Sequence, residues 1–161
     1  MPETLSPELI DELYRLSIFV FIFTLIVWAL YANTIRKTLA LIAPENQFIK
    51  PNQAWILVIP FINVYWNFEV ARKLSYSLNN EFFDRKIEVE ENPALKAGLA
   101  YAWSFLIYLT PFGLFFPIPV FVTFVIFFVM LIYFISYWYK VNQFRELIIE
   151  HNKWKDNQTN N

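Results

Sequence analysis

Charged residues in this chain are clustered, and long apolar stretches run between the clusters. The first stretch, residues 16–35, holds 20 uncharged residues between Arg15 and Arg36. At about 1.5 Å per residue, a helix of that length spans about 30 Å, the thickness of a bilayer's hydrocarbon core. Trp28 and Tyr31 lie toward its end, where aromatic rings favour the headgroup level. Ahead of it, Ser6-Pro7-Glu8 reads as a helix start: a capping hydroxyl, proline at the first helical position, and an acid in the first turn. Leu9, Leu13 and Leu16 then share one face, so 7–15 is expected to be an amphipathic lead-in lying on the bilayer surface.

Residues 97–139 form a run of 43 uncharged residues. As one helix they would be about 65 Å long, twice the bilayer core. Pro111, Gly113, Pro117 and Pro119 interrupt the run near its middle. The reading is a helical hairpin with spans at about 95–110 and 120–139. The apolar turn between them keeps Phe112, Leu114, Phe115, Phe116 and Ile118 in the interface. Tyr133, Tyr137, Trp138 and Tyr139 form an aromatic belt at the far end. Two further segments carry apolar stripes at helical spacing: 70–85, through Val70, Leu74, Leu78 and Phe82, and 140–154, through Val141, Phe144 and Ile148. Residues 155–161 read as a frayed polar tail.

The stretch 51–68 is the ambiguous one. It has 18 uncharged residues, the lower bound for a span, with Trp55 near one end and Tyr65 and Trp66 near the other. Pro60 kinks a helix and frees a carbonyl, and Asn63 and Asn67 follow on nearly the same face. Asparagines at membrane depth face protein rather than lipid. The preferred expectation is therefore an inner span at 53–69, packed on its Pro60/Asn63/Asn67 side. The alternative is a re-entrant or interfacial segment.

The architecture expected is an all-α, single-domain integral membrane bundle with four transmembrane helices, or three plus that re-entrant segment. Basic residues weigh the two. Four crossings place ten Lys and Arg on one side against three on the other, with both termini cytoplasmic. Three crossings place twelve against one, with the N-terminus outside. The spanning length and two aromatic girdles of 51–68 favour four crossings, although the charge count favours three. The acidic start argues against a cleaved signal peptide, whose first region is basic.

Composition narrows the chemistry. Charged residues are 17% of the chain, against about 25% in ordinary soluble domains. The net charge of −1 gives no nucleic-acid signal. The chain has no cysteine, which removes thiol chemistry, disulfides and Cys-ligated metals. The single histidine, His151, reads as a solvated residue near the C-terminus. Glu81, Asp84, Glu88, Glu90 and Glu91 lack the spacing of a calcium loop and read as a solvated acidic segment. No phosphate-binding, dinucleotide or nucleophile-elbow motif occurs. Tyrosines aside, no ionisable residue lies in the interior of a span, which disfavours proton-coupled transport. No cofactor, metal or catalytic residue is therefore expected. The candidate polar site at membrane depth is Pro60, Asn63 and Asn67. Asn46, Gln47, Asn52 and Gln53 are a candidate rim in the connector 43–53.

The connector and the residues after it carry a pattern. Pro44, Asn46, Gln47, Pro51, Gln53 and Trp55 are succeeded by Ile59-Pro60, Asn63, Trp66 and Phe68, then by Ser77-Leu78 and Glu81-Phe82. This resembles a group of small bacterial multi-spanning membrane proteins of unknown function. Asn52 stands where that pattern has Gly. The likeness covers about a quarter of the chain. It implies a bacterial cytoplasmic membrane location and carries no activity. The expected function is a non-enzymatic interaction or structural component of that membrane, whose partners are the lipid bilayer and a membrane protein or a second copy of itself. The alternative is a small transporter or channel subunit.

Overall fold

In a computed structural model, residues 6–114 and 116–159 are described. Phe115 of the expected apolar turn, the side chain of Leu114, and residues 160–161 of the expected polar tail lie outside the described residues. The described chain is all-α: four α-helices, with short 3-10 helices in the connections.

Helix α1 (Pro7–Ala40) begins as its sequence dictates, with Pro7 at the first position and the Ser6 hydroxyl accepting from the Leu9 N–H at 3.3 Å. It runs unbroken through Arg36 and Lys37 for 34 residues, about 51 Å. Helix α2 (Ile62–Asp84) ends in a cap with Lys86 left-handed. There the Ile87 N–H donates to the Phe82 carbonyl and the Lys86 N–H to that of Phe83. Helix α3 (Leu95–Leu109) and helix α4 (Val120–Thr159) are joined by the proline-rich turn. The extension 140–154 and residues 155–159 are one continuous helix with the preceding apolar stretch. The frayed tail expected from residue 155 is thus helical to Thr159: no proline or glycine interrupts α4 after Val120, and the Thr159 hydroxyl bonds back to the Lys155 carbonyl.

Residues 51–68 do not form the kinked helix expected of them. Residues Pro51–Val58 are a 3-10 helix, and Ile59 is extended, as the residue before proline prefers. Phe61 then has φ 65° and ψ −46°, and the Ile62 N–H donates to the Pro60 carbonyl at 2.8 Å. This is a γ-turn of the rare, strained hand. Eight residues of 3-10 helix rise only about 16 Å, half a bilayer core. The chain then doubles back. Trp66 Nε1 donates to the Gln53 carbonyl at 3.0 Å, and the Phe48 N–H donates to the Ser77 hydroxyl at 2.9 Å. The pair is a hairpin, 3-10 helix in and α2 out, with Pro60 and Phe61 at its tip. Asn52 lies inside the 3-10 helix and is not left-handed.

Ring contacts fix the directions. Trp28 meets Phe105 and Tyr31 meets Tyr101, so α1 and α3 are antiparallel. Phe68 meets Trp103, and Ala71 approaches Gly98, so α2 and α3 are antiparallel as well. Tyr108 meets Phe127 and Tyr101 meets Phe134, which makes α3 antiparallel to α4. The molecule therefore has two ends. One gathers the N-terminal half of α1, the C-terminus of α3 and the start of α4, and is apolar apart from the charged first turns of α1, with Glu8, Asp11, Glu12 and Arg15. The other gathers the end of α1, the connector, the end of α2 and the second half of α4, and carries the polar network. The α1 and α4 helices are long and apolar enough to cross a membrane by length and composition. In α1, no residue of the most apolar 18-residue window is buried. The core sits beyond that window, around Tyr31, Ile35, Leu39, Leu74, Tyr101, Tyr137 and Val141.

Candidate functional site

The expected polar face of α2 turns inward. Asn63 is 1% exposed and Asn67 is 2% exposed, although both sit in a strongly apolar neighbourhood. Asn67 Nδ2 donates to the Asn63 carbonyl one turn back, at 2.8 Å. Neither the Asn63 amide nitrogen nor its oxygen finds a hydrogen-bond partner among the described residues, and neither does Asn67 Oδ1. Pro60 is at the hairpin tip, one turn before Asn63, and is not enclosed with them.

Three tyrosines complete this core, one from each of the other helices. Tyr31 of α1, Tyr101 of α3 and Tyr137 of α4 meet pairwise, with ring centroids 6.0, 6.1 and 6.4 Å apart. All three are buried. The Asn67 amide lies within reach of the Tyr101 hydroxyl. The hydroxyls of Tyr31 and Tyr137 approach each other, yet neither makes a hydrogen bond of good geometry. Sequence pattern places Tyr31 and Tyr137 in aromatic belts and does not single out any tyrosine as an intramembrane polar group. A signal is nonetheless present: Tyr31 lies on the same face as Ile35 and Thr38, and all three are buried.

The candidate rim divides. Asn46 points inward, and its amide donates to Glu81 at 3.0 Å and to Asp84 at 2.8 Å. Gln47 donates to the Leu39 and Ile42 carbonyls and so closes the C-terminus of α1. Gln47, Asn52 and Gln53, with Lys50, line a shallow open concavity of about 630 Å³. Gln53 also accepts from the Lys50 N–H, holding the first turn of the 3-10 helix. Many residues of the sequence pattern touch one another here: Asn46 with Glu81, Gln53 with Trp66, and the backbone of Phe48 with Ser77.

Arg85 centres the polar end. It forks onto Glu81 Oε1 at 2.6 and 2.7 Å, donates to Asn152 Oδ1 at 2.5 Å, and reaches the Leu41 carbonyl at 3.5 Å. His151 Nδ1 lies 3.1 Å from the same guanidinium. Arginine only donates, so this ring nitrogen is the acceptor. His151 is thus engaged with α2 and is not a solvated tail residue. Burial pushes the Glu81 carboxyl up. The Asn46 amide, the Ala43 N–H and Arg85 outweigh that and hold it below its ordinary value. Glu90 pairs with Lys140 at 2.9 Å and also caps the Ala94 N–H. The Lys140 hydrogen bond holds its carboxyl low as well. The acidic residues of this region are therefore spread over separate partners, and among the described residues no three His, Asp or Glu side chains are grouped to hold a metal. Comparison of the chain with family models, curated proteins and solved structures returned no match.

Proposed function

We propose that this protein is a non-enzymatic, integral component of the bacterial cytoplasmic membrane that acts by binding other membrane components. It would cross three times, through α1, through α3 with the apolar turn after it, and through α4. Residues 51–68 would enter from the cytoplasmic side and return. The observation that carries this reading is the unburied apolar half of the molecule. The core helix of a soluble protein would bury its most apolar window, whereas that of α1 has no protein cover and that of α4 very little. The break at Pro60-Phe61 supports the re-entrant alternative over the four-crossing arrangement, and the twelve-to-one charge distribution agrees with it. The interaction role draws support from the polar network. Its side chains are occupied in tying α1, α2 and α4 together, and the hairpin tip presents Ile59, Phe61, Ile62 and Tyr65 outward. Washing membranes with alkaline carbonate should leave the protein in the pellet, with release only by detergent. Release by carbonate alone would contradict the integral assignment. A photo-crosslinking residue in place of Phe61 should give a discrete adduct in cells, and a pattern of uncrosslinked monomer only would contradict the interaction role.

A second reading, a small channel or transporter subunit, is favoured by the unpartnered polar atoms of Asn63 and Asn67. Under it, Asn63→Leu would fold normally and abolish flux of the solute carried.

A further inference from the structure

We infer that the concavity at the mouth of the 51–68 hairpin is a headgroup site for an anionic phospholipid of the phosphatidylglycerol type, an inference that rests on the three-crossing reading. Gln47, Lys50, Asn52 and Gln53 supply its polar lining, and no carboxylate lines it. Lys50 is exposed and has no acidic partner among the described residues, whereas Arg72, Lys73, Arg85, Lys140 and Arg145 are each paired with a carboxylate. The amides add both kinds of hydrogen-bonding group. Gln53 Oε1 is taken by the Lys50 N–H, which leaves its amide nitrogen to donate. Gln47 spends its nitrogen on the Leu39 and Ile42 carbonyls, which leaves its oxygen to accept. A phosphodiester would take the Lys50 ammonium and the amide donors, and a glycerol head would offer its hydroxyls to the Gln47 oxygen. The cationic head of a zwitterionic lipid would meet Lys50 with no carboxylate to receive it. The depth agrees. Gln47 ties the concavity to Leu39, four residues and so about 6 Å beyond Ile35, where the uncharged run of α1 ends. The headgroup layer on each side of the hydrocarbon core is about 5–7 Å thick. Phe48 and Trp55, which flank the concavity along the chain, are exposed, as aromatic rings at that level are. Arg36 and Lys37, exposed on α1 just past the apolar run, add positive potential toward the anionic lipid of the cytoplasmic leaflet.

The test is native mass spectrometry of the full chain, released from detergent micelles that hold equal amounts of phosphatidylglycerol and phosphatidylcholine with the same acyl chains. The wild-type chain should retain one phosphatidylglycerol in preference to phosphatidylcholine. Lys50→Gln should weaken that preference by about fivefold, the effect of one basic residue at an anionic surface. Lys37→Gln, at an exposed position outside the concavity, should keep most of it. Equal retention of the two lipids by the wild-type chain, or an unchanged preference in Lys50→Gln, overturns the inference. Equal losses in the two variants overturn it as well, since they would show a diffuse surface field in place of a site. Displacement of the lipid by equimolar inorganic phosphate would make this a site for a soluble anion and overturn the lipid assignment. Failure of the underlying reading registers separately, in carbonate extraction for the membrane and in cysteine labelling for the sidedness, neither of which depends on Lys50.

Discussion

Arg85 donates to groups on three segments: Glu81 one turn back, the Leu41 carbonyl at the end of α1, and Asn152 on α4. Its side chain is 17% exposed and that of Glu81 is 3% exposed, so solvent screens the pair little. Arg85→Met would leave the Glu81 carboxylate buried without its cation, a change that costs on the order of 3 kcal/mol. Equilibrium unfolding in detergent should read a loss of that size. Glu81→Gln tests the other partner through pH. The Glu81 carboxyl is held below its ordinary value of about 4.3, so its contribution is complete above that pH and is lost as pH falls through the lower folded value. The native protein should therefore lose stability on acidification below about pH 4, and Glu81→Gln should flatten that part of the profile. An unchanged acid limb in the variant would show that other carboxylates control it. Of this network the sequence shows the Glu81–Arg85 pair, four residues apart on one helix, and its pattern singles out Asn46, Gln47 and Glu81. The links to Leu41 and Asn152 are not legible, because those residues lie dozens of positions away.

At the scale of elements, three helices meet at Gly98. A Cβ added there would lie 2.7 Å from the Ala71 Cβ and 2.9 Å from the Tyr137 ring. The Ala71 atom is fixed by its helix and has no rotamer to yield, so Gly98→Ala should destabilise by about 1–3 kcal/mol despite alanine's better helix propensity. A neutral or stabilising result would mean that α2 and α3 can separate freely. The hairpin tip makes the opposite point. Phe61 is 90% exposed and sits at positive φ, an arrangement glycine would adopt without strain. Phe61→Gly should therefore stabilise the isolated protein by about 1 kcal/mol and reduce crosslinking from the neighbouring Tyr65 position in cells. The long uncharged runs make α1, α3 and α4 legible, because helical period and proline punctuation act locally. The 3-10 helix at 51–58 is not legible. Its composition equals that of a marginal span, and only packing against α1 and the Trp66–Gln53 hydrogen bond show which way the chain turns.

For the whole molecule, the separation of an apolar end from a hydrogen-bonded end is the property on which the functional reading depends. The clusters of charge along the sequence foreshadow it, whereas the number of crossings depends on the fate of one stretch. Because the chain has no cysteine, single cysteines can be introduced on a silent background and their sidedness read with a membrane-impermeant maleimide. Glu8, Asn80 and Lys153 are exposed positions on α1, α2 and α4 respectively. The three-crossing arrangement predicts that, in intact cells, a cysteine at position 8 is labelled from outside while those at 80 and 153 react only after lysis. Protection of all three, the pattern of four crossings with both termini inside, would contradict it.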